Sequence, residues 1–136
     1  MLPNKIKYIH LREFDRFGNT EHKGGKTVAW QLNDTANSIE YGFSLVHPDD
    51  RYVKATGRKV SDEFLKTNPI TIGFDFVKLF LFPVINNYAM SKIKVDDLSS
   101  KLVHDVIMNH IQVAAEFPDA DPIEVMEEVL SDEYYG

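Results

Sequence analysis

The sequence predicts an α+β protein: a small antiparallel sheet packed with helices in the N-terminal half, followed by a helical C-terminal part. Three observations carry this. Apolar residues alternate with period two in short runs up to Val46, a helical pattern begins near Pro48, and apolar residues recur at three- and four-residue spacing from Leu98 onward. With 136 residues, 43% of them apolar, the chain is expected to form one domain, with residues 1–74 as sheet plus one helix and 75–136 as a mainly helical extension.

The elements follow in order. Lys5 to Leu11 alternates, with Ile6, Tyr8 and His10 on one face, so it reads as a strand. Asp15–Thr20 and Lys23-Gly24-Gly25-Lys26 read as turn clusters, and Thr27 to Leu32, with Val28 and Trp30, as a second strand. Asn33–Ser38 is a polar loop, and Ile39 to Val46 a third strand with Tyr41, Phe43 and Leu45 on one side. Pro48 at a first helical position, followed by Asp49 and Asp50 where the helix dipole is positive, predicts a helix to about Lys66. Its core face would be Tyr52, Val53, Val60, Phe64 and Leu65, and it carries Gly57 inside at a cost of roughly 1 kcal/mol relative to Ala. It ends before Asn68-Pro69. Ile70–Phe74 is a fourth strand, and the apolar run in Phe76–Tyr88 fits either a buried strand or a helix kinked at Pro83, of which the helix is the preferred reading. A further helix starts at Asp96 or Asp97, runs through Leu98, Leu102, Val106, Ile107, Ile111, Ala114 and Ala115, and closes at Pro118. Asp121-Pro122-Ile123-Glu124 opens the last one, through Val125, Val129 and Leu130.

Composition removes whole classes of chemistry. There is no cysteine, so thiolate zinc sites, disulfides and thiol nucleophiles are excluded. The N-terminus lacks an apolar leader core and no apolar run approaches the roughly 20 residues of a membrane span, so a cytoplasmic protein without a membrane partner is expected. The net charge of −6 divides unevenly: residues 1–68 sum to +2 and residues 69–136 to −8, with nine carboxylates and no Lys or Arg from Leu102 to Gly136. An acidic half does not seek phosphate backbones, so no nucleic-acid partner is expected, and an anionic ligand has to bind through the first half.

No catalytic pattern emerges. Gly25-Lys26-Thr27 ends like a phosphate-binding P-loop, but Thr20 stands where the first glycine belongs and a strand follows, so a hairpin turn is the better reading. There is no nucleophile elbow. His47-Pro48-Asp49-Asp50 fits a helix cap with dipole-compensating aspartates better than an acid/base site. His104 and His110 lie six apart on one helix, about 600° around it, so they do not chelate together. No cofactor and no metal are expected.

The basic cluster is more informative. On a helix starting near Pro48, Lys54 and Arg58 lie about 300° and 340° from Arg51, so the three share one face, with Lys59 flanking it. Arginine forks suit phosphate oxygens, although the same residues could simply pair with Asp50 and Asp62 at i,i+4 spacing on a solvated face.

The residues His47-Pro48-Asp49-Asp50-Arg51-Tyr52-Val53-Lys54-Ala55-Thr56-Gly57-Arg58, after Tyr41-Gly42-Phe43-Ser44 and before Leu65, resemble the shared pattern of a family of small phage-encoded proteins. We associate that pattern with anti-Thoeris sponges, which sequester the cyclic ADP-ribose isomers made by a bacterial defence system. The segment from Thr27 to Leu65 carries the resemblance; His47, Asp49 and Phe64 depart from it, standing where the family has Cys or Ser, a basic residue and an arginine.

The resemblance implies a non-enzymatic phage protein that acts in the cytoplasm of the infected cell. It would bind a nucleotide second messenger, a cyclic ADP-ribose isomer or cyclic nucleotide, as a homodimer or higher oligomer. Arg58, Lys54 and Arg51 would meet phosphate, and Trp30, Tyr41 or Tyr52 would stack on the base. The alternative is an acidic inhibitor that binds a basic host protein directly, as a nucleic-acid mimic. A third reading is a phosphodiesterase-like enzyme that uses His47 and the aspartates.

Overall fold

The structure is a computed structural model that describes residues 5–12, 16–19, 23–81 and 92–134. The strands β1 (Lys7–Leu11), β2 (Lys23–Asn33), β3 (Ser38–Arg51) and β4 (Ile70–Gly73) form one sheet in the order β1-β2-β3-β4. Among the described residues the helices are α1 (Lys54–Thr67), α2 (Phe74–Leu81), α3 (Ser100–Glu116) and α4 (Pro122–Tyr134), with a short 3₁₀ turn at Val95–Asp97. The fold class is α+β, as the patterning predicts. The expected kink at Pro83, and the rest of that segment to Tyr88, lie outside the described residues.

Several local predictions are corrected, two of them in where elements begin. The Lys23–Lys26 stretch is not a turn but the start of β2, in which Gly24 and Gly25 take φ of 73° and 126°. A Cβ on Gly25 would lie 2.6 Å from Tyr52 Cδ2 and 2.8 Å from the Leu11 carbonyl, so this glycine serves close approach rather than chain reversal. The second correction concerns Pro48, which lies inside β3 instead of opening a helix. β3 has 14 residues while its neighbours β2 and β4 have 11 and 4. β3 is therefore longer than either neighbour, and a proline is tolerated in a strand where no ladder bond needs its N–H. Helix α1 begins at Lys54, with Val53 as N-cap and no acidic residue in its first turn, so Asp49 and Asp50 do not serve its dipole.

The later start moves the buried face of α1. It is Gly57, Ser61 and Leu65, while the expected core residues Val53 and Val60 are each 44% exposed. Ser61 satisfies its buried hydroxyl by donating to the Gly57 carbonyl at 2.7 Å.

The chain divides into two compact units, one of residues 1–32 and 40–71, the other of 33–39 and 72–136. In the first, β1 runs antiparallel to β2 with Tyr8 opposite Ala29 and His10 opposite Thr27. Alternation places Tyr8 and His10 on one face, where their rings stack at 6.3 Å. Helix α1 crosses that face. A Cβ on Gly57 would lie 2.2 Å from Thr27 Oγ1, and one on Gly42 would lie 2.6 Å from the Leu65 amide nitrogen.

The second unit contains the β2–β3 hairpin tip, where Asn33 Oδ1 accepts from the Ala36 N–H at 3.0 Å and Asn37 adopts φ of 51°. Asn37 Oδ1 in turn accepts from the Val95 N–H at 2.7 Å. Phe76, Val77, Leu81, Val103, Val106 and Ile107 form the core, and α4 packs against both α2 and α3. Helix α3 starts later than expected: Asp96 and Asp97 belong to the 3₁₀ turn, and Ser99 is the N-cap, its hydroxyl accepting from the Leu102 N–H. Its buried stripe passes through His110 and Val113, leaving Ala114 and Ala115 exposed. Asp121 caps α4 as predicted, accepting from the Ile123 N–H, but Met126 is buried where Val129 had been expected.

His110 packs edge-on against Phe76 at 5.0 Å, and burial lowers its pKa. The unfolded chain therefore binds this proton more readily, so stability contributed by the neutral imidazole is complete above about pH 6.5 and declines as pH falls toward the lower native value. Urea melts of the wild type between pH 7 and 5 are expected to show this decline, with a slope of up to about 1.4 kcal/mol per pH unit for one group. His110→Gln should flatten the profile; equal slopes for the two proteins would refute the assignment.

A candidate anion-binding site where helix α1 crosses strand β1

Strand β1, strand β2, Tyr52 and helix α1 of the first unit build this site. Strand alternation sends Tyr8 and His10 to the face that α1 covers, and antiparallel register sets Thr27 beside His10. The extended Tyr52, just before α1, is 6% exposed, and its hydroxyl lies 2.9 Å from His10 Nδ1 and 3.1 Å from Thr27 Oγ1. His10 Nδ1 is also 3.3 Å from Thr27 Oγ1, which closes a triangle of polar groups. Tyr8 donates to Asp62 of α1, its oxygen 2.8 Å from both carboxylate oxygens.

Cations surround this polar triangle. Burial lowers the pKa of His10, and Lys54 and Arg58 lower it further by charge repulsion. Both cations are exposed, one turn apart on α1, and among the described residues no carboxylate forms an ion pair with either. Asp62, which the i,i+4 spacing offered to Arg58, instead binds Tyr8. Burial and the Asp62 contact raise the Tyr8 pKa, while Arg58 pulls it down. Arg12 places its guanidinium 4.7 Å from the centre of the Tyr52 ring.

The other sequence-predicted site residues are placed differently. Arg51 ends β3 and is not on the helix, so the expected three-cation helical row reduces to Lys54 and Arg58, with Lys59 next to them. Trp30 and Tyr41 are 2% and 1% exposed, too buried to offer a ring face to a base, and burial pushes the Tyr41 phenol up. Tyr52 contributes its hydroxyl and ring edge to the cluster above. His47 is an exposed strand residue instead of a helix cap; its Nδ1 accepts from the Asp49 N–H at 3.1 Å and lies 3.7 Å from the Asp49 carboxylate.

The sequence marks none of His10, Tyr8, Arg12, Thr27 and Asp62 as a residue of this site. The alternation of β1 contained the signal for Tyr8 and His10, but nothing local pairs them with a helix more than forty residues later in the chain. In this part of the chain Tyr52 joins the triangle with His10 and Thr27, Gly57 lets α1 approach Thr27, and Lys54 and Arg58 supply charge. Among the described residues no group of three or more His, Asp and Glu side chains could hold a metal ion.

Comparisons with known protein families, with curated proteins and with solved structures find no match to this chain. No helix among the described residues is long and apolar enough to cross a membrane.

Proposed function

We propose that this chain is a phage-type binding protein that holds a small phosphate-bearing nucleotide second messenger and keeps it from its effector without turning it over. One observation carries the reading. Lys54 and Arg58 are exposed, lack a carboxylate partner among the described residues, and both act on the half-buried His10 of the same unit. Two ammonium and guanidinium groups beside a cluster of hydroxyl and imidazole groups match a phosphate with an attached polar sugar. The order Pro48, Asp50, Tyr52, Lys54, Gly57, Arg58, which this chain shares with the sponge-like phage pattern, supports the nucleotide class. Cyclic ADP-ribose isomers and cyclic nucleotides are the ligands proposed, with action in the cytoplasm of an infected cell as a homodimer or higher oligomer.

Calorimetric titration with a panel of cyclic ADP-ribose isomers and cyclic nucleotides tests this. Tight stoichiometric binding is expected, with intact ligand recovered after denaturation. Recovery of degraded ligand would indicate the phosphodiesterase-like enzyme, and failure of every nucleotide in the panel would sink the reading. A second reading draws on α3 and α4, whose exposed acids include Asp105, Glu116, Glu124, Glu127 and Glu128 and whose last turns carry no basic residue. Strongly salt-dependent capture of a basic host protein would favour that acidic inhibitor instead.

A further inference from the structure

We propose that His10 is itself a ligand-contacting residue of this site, donating from Nε2 to a phosphodiester oxygen and taking up a proton as the diester binds. The inference rests on the anion-binding reading above and adds to it a residue and a pH dependence. It begins with the partners of Nδ1. Both are hydroxyls, Tyr52 at 2.9 Å and Thr27 at 3.3 Å, and they lie 3.1 Å from each other. A hydroxyl donates or accepts by rotating its hydrogen. Nδ1 can thus accept from Tyr52 when the imidazole is neutral and donate to either oxygen when it is charged, with no heavy atom moving. A backbone carbonyl in that place would have favoured one state. With Nδ1 engaged, Nε2 is the nitrogen that addresses a ligand.

The charged surroundings supply the coupling. Helix α1 presents Lys54 and Arg58 to His10, β2 presents the uncharged Thr27, and β1 itself carries Tyr8, bound to Asp62, and Arg12, stacked on Tyr52. Burial and the cationic field of Lys54 and Arg58 both favour the neutral imidazole. A phosphodiester held by Lys54 and Arg58 cancels that field and adds an acceptor for Nε2–H, which favours the imidazolium in the complex. Affinity then rises as pH falls, by up to about tenfold per pH unit for one proton taken up.

ADP-ribose and 3′,5′-cyclic AMP are suitable probes, because neither has a group that titrates near neutral pH. The His10 ring resonance is followed by NMR against pH with and without each probe, and binding heats are compared in two buffers of different ionisation enthalpy. Uptake of up to one proton per complex is expected, with the His10 titration moved upward by the probe, and His10→Gln should weaken binding and flatten its pH dependence. Binding with no proton uptake and an unmoved His10 titration overturns the proposal but leaves the anion site standing. Failure of both probes to bind at millimolar concentration also overturns it, while the anion-site reading is decided separately by the wider nucleotide panel. Should His10→Gln fail to fold, the exposed double variant Lys54→Gln/Arg58→Gln gives a ligand-free test. In it the His10 titration should move upward, and no movement overturns the proposal.

Discussion

Replacing Gly57 by alanine is expected to lower stability by about 2 kcal/mol or more, although alanine is the better helix former by about 1 kcal/mol. The added Cβ would lie 2.2 Å from Thr27 Oγ1 and 2.9 Å from Thr27 Cβ. Neither atom can give way cheaply. Thr27 is fully buried in β2 and its hydroxyl is within hydrogen-bond distance of His10 and Tyr52, so relieving the clash means moving α1 off the sheet or breaking the triangle. Gly73→Ala is the control, because a Cβ there meets nothing within 4 Å and should stay within about 0.5 kcal/mol of wild type. Truncating Thr27 to alanine in the Gly57→Ala background removes the hydroxyl and methyl contacts and should recover part of the loss, which a double-mutant cycle by urea denaturation would measure. A Gly57→Ala protein that melts higher than wild type would show that the helix does not touch the sheet here.

The largest functional effect is expected from Lys54→Gln combined with Arg58→Gln. A hydrogen bond to a charged group contributes about 1.5–3 kcal/mol, so losing two such contacts should weaken nucleotide binding by about a hundredfold or more. Both side chains are exposed and neither supports the core, so the melting temperature should be nearly unchanged, which separates lost contacts from lost folding. The salt dependence of binding should also flatten. Arg58→Lys should restore only part of the affinity, because an ammonium cannot pair two phosphate oxygens with one planar fork. Lys59→Gln, a charge change next along the same helix, is the comparison that exposes a purely nonspecific charge effect. Equal losses from Lys59→Gln and from the double variant would remove the site from α1.

Much of the architecture was legible in the sequence because it depends on local periodicity. The alternation of β1, the Asn33–Asn37 turn, the short β4 and the Asp121-Pro122 helix start are all properties of a few consecutive residues, and each is found where expected. The Pro48 helix start failed for an equally physical reason. Proline with two following aspartates is a good opening for a helix when considered alone, but here a long strand runs through it, and α1 waits until Lys54. The Gly24-Gly25 pair is another such case: two adjacent glycines suggest a turn, but they lie in β2, where Gly25 leaves room for the Tyr52 ring.

The candidate site divides along the same line. Lys54 and Arg58 could be paired from helical spacing, and Tyr52 from the motif, since these residues are close in sequence. Arg51 shares that row only on a helix that starts near Pro48, and in the structure it ends β3 instead. Trp30 and Tyr41 show the limit of composition: an aromatic ring in a strand is equally compatible with a binding face and a buried core, and both rings went to the core.

By itself, then, the sequence determined the α+β class, the cysteine-free chemistry, the division into a weakly basic and a strongly acidic half, and the cationic pair on α1. Only the tertiary structure decided what that pair stands beside. His10 meets Tyr52 across 42 positions of chain and Tyr8 meets Asp62 across 54, and such contacts are set by helix-on-sheet packing that no local pattern encodes. The close approach at Gly57 and Thr27 fixes that packing, and with it the cationic field around a histidine that can change charge without losing its hydrogen bonds.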